Sequence, residues 1–384
     1  MKTLSIHVPK LDQSTDLDIT AKRVMNKCKY IPDNWIDKVV CALEEVRNKN
    51  KMNPSQDISN AHKKRKENIP EKLESLLEQL YGDDYEMQCA LKDVLTICIE
   101  RCNLELISAN HALMAALSRI LSDQGSRSRK TVFIVIKIFY AIAEFEDFHQ
   151  TLSKYRIGAL IMSTIDMELR RVDQLAEDIM NKGNPIKQTP NRNDNVLFVC
   201  FQILLRLSDS KHIMHKMLIK DLHSFLIRAL LGTYSKRCLD VTLSLMIRST
   251  AYEEVVCDIS VDNSIVPQLI QLLILIEDIN VAKKILCILF NLSFHYDNLT
   301  KMMDAGIMTT LAKCNRDLMN TQLFGILYHI SAFKDLRKSI SEDILTLMLP
   351  RIVAPKEDTW NEIASFLINV SRIRRFFLCF IFAF

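Results

Sequence analysis

The sequence predicts an all-α chain of stacked helical repeats, and three observations carry that reading. Glycine is scarce, at 7 of 384 residues. A short apolar phrase recurs at a nearly fixed period. Within that phrase the apolar residues fall at helical spacing. Strand-rich folds and phosphate-cradling loops both need backbone angles that glycine adopts readily, whereas long helices do without it.

The phrase has five clear copies: Ile203 to Ser208 (ILLRLS), Leu245 to Thr250 (LMIRST), Ile288 to Ser293 (ILFNLS), Ile326 to Ser331 (ILYHIS) and Phe366 to Ser371 (FLINVS). Successive copies end 42, 43, 38 and 40 residues apart. That period is the ~40–47 residues of armadillo and HEAT repeats. Two looser copies precede them, Val94 to Ile99 and Ile138 to Ala143, with ends 44 residues apart. The 65-residue gap that follows is one repeat plus an insertion. The expected architecture is an armadillo-type α-α superhelix of about seven repeats.

Each phrase should end a helix. Apolar residues at positions one, two and five, such as Ile288, Leu289 and Leu292, share one face and form the core. The terminal Ser or Thr is small enough for close helix approach. Position four is polar in every copy: Arg206, Arg248, Asn291, His329 and Asn369. The residue four earlier is polar or small, beginning with Gln202 and followed by Ser244, Cys287, Gly325 and Ser365. Residues i and i+4 lie on one helix face, so stacked repeats would set them side by side as a stripe. The stripe is either a solvated face or the lining of a groove. Two further signals fit the start of a repeat's second helix: Gly306 can take a turn geometry closed to β-branched residues, and Pro267 suits a first helical turn.

Four segments follow. Residues 1–47 form an N-terminal helical segment, with Ile36, Val39, Val40, Leu43 and Val46 as an apolar stripe. Residues 48–69 form a polar linker containing the basic run Lys63-Lys64-Arg65-Lys66, which reads as solvated rather than as a nuclear-localisation patch. Residues 70–371 are the repeat array. Its insertion at about 163–195 combines a long helix from Met162 to Asn181, charged at Glu168, Arg170, Arg171 and Asp173, with the turn-rich loop Gly183 to Asn195. Residues 372–384 are an atypical apolar tail. Phe376 to Phe384 is too short to span a membrane, and an alternative splice end or misassigned exon explains it better than an anchor.

Several function classes are disfavoured. Lys plus Arg is 50 and Asp plus Glu is 46, a near-balance unlike that of a nucleic-acid binder. The N-terminal residues lack the apolar run of a secretory signal. Eleven cysteines in a chain this long are not a disulfide framework, and most lie in apolar helical runs as reduced small hydrophobes. No metalloprotease, nucleotide-loop, dinucleotide or CxxC motif occurs. The pairs Cys98/Cys102 and His212/His215 lack a second pair to complete a metal site, and Asp83-Asp84 beside Gly82 reads as a turn. No cofactor, metal, small-molecule substrate or catalytic residue is expected.

A closer resemblance comes from particular phrases. Phe148-His149 is followed by Tyr155-Arg156-Ile157-Gly158-Ala159-Leu160 and by Ile165-Asp166-Met167-Glu168-Leu169-Arg170-Arg171. Ile285 to Met302 (ILCILFNLSFHYDNLTKM), Leu327-Tyr328-His329-Ile330-Ser331 and Thr15 to Pro32 add further matches in collinear order. Together they resemble the kinesin-associated protein family, with Arg156 where that family has Lys. The resemblance covers nearly the whole chain. Family members are longer, so it implies a divergent or C-terminally truncated member.

The resemblance implies a cytoplasmic, microtubule-associated adaptor, with a cilium or axoneme as its expected setting. Such an adaptor binds the tails of two kinesin-2 motor subunits and links them to cargo, including intraflagellar transport trains. On this reading Gln202, Arg206, Arg248, Asn291, His329 and Asn369 contribute to a groove for a motor tail or cargo segment. A catenin-like scaffold is the alternative. A nuclear-import adaptor is weaker, because Cys287 and Ser365 stand where its groove would need Trp.

Overall fold

The computed structural model describes residues 69–181, 194–231, 235–313, 321–338, 340 and 360–372, and before them residues 21, 25, 39, 40 and 43. The chain divides into two compact units, residues 1–75 and 76–384. In the first, Ala21 and Leu43 are buried together, with Val39 and Val40 packed on them. Three members of the expected N-terminal stripe therefore do face a core. The linker Asn48 to Asn68 with its basic run, most of the loop Gly183 to Asn195, and the tail Phe376 to Phe384 lie outside the described residues.

The second unit is helical throughout its described residues and contains no strand there. Helix α1 (Asp84–Ile97) is followed by five three-helix units. They are α2 (Arg101–Ala109), α3 (His111–Ser122) and α4 (Arg129–Ala143); α5 (His149–Lys154), α6 (Ile157–Asn181) and α7 (Asn195–Leu207); α8 (Lys211–Ile219), α9 (Leu222–Leu231) and α10 (Lys236–Ser249); α11 (Glu253–Val261), α12 (Ile265–Leu275) and α13 (Ile279–Leu292); and α14 (Tyr296–Asp304), α15 (Ile307–Lys313) and α16 (Thr321–Ala332). Helices α17 (Lys334–Lys338) and α18 (Trp360–Ser371) follow among the described residues. The long third helices α1, α4, α7, α10, α13, α16 and α18 pack each on the next. These three-helix units, stacked in sequence with seven third helices among the described residues, are an armadillo-type solenoid, and the phrases end those helices as the period predicts.

The core is built from the positions the phrase marks. Residues at positions one, two and five are buried in all five copies, except for half-buried Leu367. Each such aliphatic side chain contributes about 1.5–3 kcal/mol relative to exposure. Ser249 interrupts this apolar set without leaving a stranded hydroxyl, because its Oγ donates to the Met246 carbonyl at 2.9 Å. The third helices begin at polar caps. Asp83, Ser128, Ser235 and Asp278 accept backbone N–H bonds at the starts of α1, α4, α10 and α13. Asp83 is thus a helix cap rather than a plain turn residue. These same ends are laced across repeats: Ser235 N–H donates to Asp194 at 2.7 Å, and Lys236 pairs with Asp278.

Helix α6 starts at Ile157, five residues before the expected Met162, so the insertion extends a repeat helix instead of adding a separate one. Its charged half is not simply solvated. Glu168 is only 6% exposed and accepts from Arg129 at 2.7 Å and Arg171 at 2.6 Å. Arg228 of α9 donates to Asp166 at 2.9 Å and Asp173 at 2.8 Å. Cations from α4 and α9 therefore tie the inserted helix to the units on either side of it.

Left-handed residues stand immediately before three second helices: Arg156 (φ 55°) before α6, Asp221 (φ 64°) before α9 and Gly306 (φ 77°) before α15. Only at Gly306 is this conformation free of Cβ strain. For an L residue it costs about 1–2 kcal/mol. Asp tolerates it through its short polar side chain; Arg has no such excuse.

Two predictions follow from the backbone and from cysteine burial. Arg156→Gly should stabilise the fold by about 0.5–1 kcal/mol, the relieved strain less the added freedom of the unfolded chain. A lowered thermal midpoint would show the strain to be absent. Burial pushes the Cys98 and Cys238 thiols up to about 12 and raises that of Cys200 as well. Site-resolved mass spectrometry after brief N-ethylmaleimide treatment should find Cys102 and Cys257, both exposed, alkylated in the native chain, and the three buried thiols alkylated only after unfolding.

Candidate partner-binding surface

At the end of each third helix the hydroxyl of position six turns back on its own helix. Ser208 donates to the Leu205 carbonyl, Ser293 to Phe290, Ser331 to Tyr328 and Ser371 to Ile368, at 2.6 to 2.9 Å. Thr250 does the same toward Met246 and Ile247. These bonds satisfy carbonyls that a helix terminus leaves without partners. The terminal Ser or Thr is therefore more than a small residue that permits close approach.

Most residues of the predicted polar column meet these hydroxyls from the following repeat. Arg248 donates to Ser208 Oγ and the Leu205 carbonyl, both at 2.7 Å, and pairs with Asp209. Asn291 donates to Thr250 Oγ1 at 3.0 Å and the Ile247 carbonyl at 3.3 Å. His329 Nδ1 lies 2.7 Å from Ser293 Oγ, and Asn369 donates to Ser331 Oγ at 3.1 Å. Because Ser293 gives its single proton to Phe290, Nδ1 of His329 must carry the other. The column is thus a set of rungs between consecutive repeats. Arg206 and Gln202 are half-buried and make no side-chain hydrogen bond among the described residues. The residue that would receive Arg206 is Ala143, which has no hydroxyl; His149 Nε2 sits 2.9 Å from its carbonyl instead.

Beside the rungs runs position three: Leu205, Ile247, Phe290, Tyr328 and Ile368, all half-buried or exposed. Around α13 and α16 this row widens into an aromatic patch that the sequence reading missed. Phe294 is 67% exposed, and Tyr296, Tyr328 and Phe333 are exposed too. The Phe290 and Phe294 rings meet edge-on at 5.2 Å, Phe294 lies 4.4 Å from the His329 ring, and Tyr296 meets Phe333 at 5.0 Å. Gly325 makes room for it, since a Cβ there would lie 2.4 Å from the Phe290 ring. The signal was present in the phrases FNLSFHY and LYHISAF, which put aromatics at and just beyond position three.

Among the described residues no group of three His, Cys, Asp or Glu side chains can hold a metal, and no helix is long and apolar enough to cross a membrane. Cys98 is buried while Cys102 is exposed, and His212 and His215 are both exposed.

The His329 rung is open to a pH test. Burial pushes its imidazole below the ordinary value of 6.5. As pH falls through 6.5 the unfolded chain takes up a proton that the folded chain refuses, so this contribution to stability is lost on acidification. His329→Asn keeps a donor for Ser293 and should flatten the fall of the thermal midpoint between about pH 7 and 5. An identical slope in the variant would remove His329 as a source of that dependence.

By structure, the chain is similar to an engineered protein of known crystal structure, at 14% identity over 78% of each chain and a TM-score of 0.52. A designed armadillo repeat protein matches at 12% identity over 78% of this chain and 99% of its own, with a TM-score of 0.33. Another, solved in complex with the peptide (KR)4, gives the same figures. At 14% identity the first of these likenesses concerns the fold alone. By sequence, the family of kinesin-associated protein (KAP) matches residues 3–379. The chain belongs to the kinesin-associated protein family.

Proposed function

We propose that this chain is a non-catalytic adaptor that binds the tails of kinesin-2 motor subunits and links them to cargo for microtubule-based and intraflagellar transport. Family membership supports the kinesin association. The observation that carries the binding surface is the aromatic patch of Phe290, Phe294, Tyr328 and Phe333, continuous with the position-three row along the third helices. Exposed aromatics bordered by a polar row are the composition of a peptide-binding face, in which rings supply buried area and neighbouring amides and guanidinium groups fix the orientation.

The polar row comprises Gln202, Arg206, Arg248, Asn291, His329 and Asn369. Gln202 and Arg206 offer uncommitted donors to a ligand. The other four already hold neighbouring repeats, so truncating them would weaken the array along with any binding. Surface substitutions on the patch are therefore the cleaner probe.

Co-purification with the paired tail segments of two kinesin-2 motors, with a kinesin-1 tail as control, tests the proposal. Wild-type chain should recover the kinesin-2 tails selectively. Phe294→Ala with Tyr328→Ala should weaken that recovery at least tenfold at unchanged helicity. Full recovery by the double variant would remove the patch from the motor site, and no recovery by wild type would sink the motor-tail reading for this chain.

A further inference from the structure

A second concave site lies on the first and second helices rather than the third. A cavity of about 640 Å³ opens between α6 and α8. Its floor is apolar: Gly158, Ala159 and Met162 from α6, Ile213 and Met217 from α8, and Leu207 from the end of α7. Four of the residues around it are charged, and all four are cations: Lys154, Arg156, Lys216 and Lys220. Lys154, Arg156 and Lys220 form no ion pair among the described residues, and Lys216 reaches only Ser153 Oγ at 3.5 Å. Among the described residues no carboxylate lines the cavity. What sets these four cations apart is that they converge on one apolar cavity; Arg129, Arg228, Arg248 and Lys284 sit against acids instead.

Two details indicate a site for a chain segment. Ile219 also lines the cavity and is 72% exposed, which extends the apolar surface outward along α8. Lys216 on α8 and Lys220, the residue capping its C-terminal end, are four residues apart, so they present adjacent charges along one side of that end. The charges are thus spread over the α5–α6 turn and along α8, matching several carboxylates better than one small anion. The third cation, Arg156, stands on the strained left-handed residue. At the matching turn before α15 the chain uses Gly306, which adopts that backbone without cost. An arginine kept where glycine is cheaper is strain stored at one edge of a cavity, as functional sites store it.

We infer that this cavity docks an acidic peptide segment of a partner protein, with a large apolar side chain seated between α6 and α8 and flanking carboxylates held by Lys154, Arg156, Lys216 and Lys220. The inference does not rest on the motor-tail reading, since it concerns different helices and different chemistry.

The test uses the full chain and a fluorescein-labelled probe peptide, Asp-Glu-Leu-Phe-Glu-Asp, followed by fluorescence anisotropy. Saturable binding that weakens as salt is raised is expected. Arg156→Glu with Lys216→Glu should weaken it at least tenfold, and Arg156→Gly at least threefold while the thermal midpoint stays level or rises. That last split separates loss of a ligand contact from loss of fold. Replacing Leu and Phe of the probe by Ser should also weaken binding at least tenfold. Absence of binding to wild type, equal affinity for the charge-reversed variant, or equal affinity for the Ser-substituted probe would each overturn the inference. Preferential binding to phosphatidylserine vesicles, abolished by the same charge reversals, would overturn it in favour of a lipid surface.

Discussion

A third helix in this array cannot finish its own hydrogen bonding. Its last carbonyls have no partner within the helix, and they lie at the seam where the next repeat must pack. The chain meets both needs with one device. A serine or threonine closes the helix on itself, and a polar side chain four positions into the next phrase donates to that hydroxyl. The rung fixes the rotational setting of neighbouring helices while the aliphatic positions supply the burial. Burial alone is non-directional and would tolerate sliding; directed hydrogen bonds do not. The N-terminal ends are laced in parallel, at Asp194–Ser235 and Lys236–Asp278. The position-three row, the aromatic patch and the cavity all take their geometry from a stack held in register this way.

Much of this architecture was legible from residues alone, for a plain reason. Positions one, two and five of each phrase obey helical periodicity, and periodicity is a local signal that recurs every 38–43 residues here. Gly306 and Pro267 could be read because each carries a backbone preference of its own. The polar column was visible as a pattern, but its rungs were not. Arg248 and Ser208 lie 40 residues apart, and nothing in either phrase says that one is the other's partner. Arg206 remains uncommitted for an equally non-local reason, the alanine at 143. The aromatic patch was hidden differently. Phe290 looks like another core residue until the ring is seen lying over Gly325 of the following third helix.

The inserted helix shows the same limit. Its charges at Glu168, Arg170, Arg171 and Asp173 could be read only as a charged half-helix, because a sequence shows charges but not their partners. In the fold Glu168 is held between two arginines, one from α4 and one from α6 itself, and Arg228 of α9 spans two further acids. A buried carboxylate is tolerated only when such donors reach it. The insertion is consequently stitched into the array, and the turns of α6 that precede it supply part of the apolar floor of the cavity.

The missing hydroxyl at Ala143 has a consequence for the exchange of parts. From α7 onward each described junction joins a position-four donor to a position-six hydroxyl, so any of these repeats carries both halves of the connection. A repeat could be duplicated, removed or moved within that stretch and still find a complementary neighbour. The junction between α4 and α7 obeys another grammar, with an alanine on one side, an unengaged arginine on the other and a histidine from α5 standing at the carbonyl. The array therefore consists of an interchangeable series joined to a bespoke beginning. Drift in repeat number is open to the first and closed to the second.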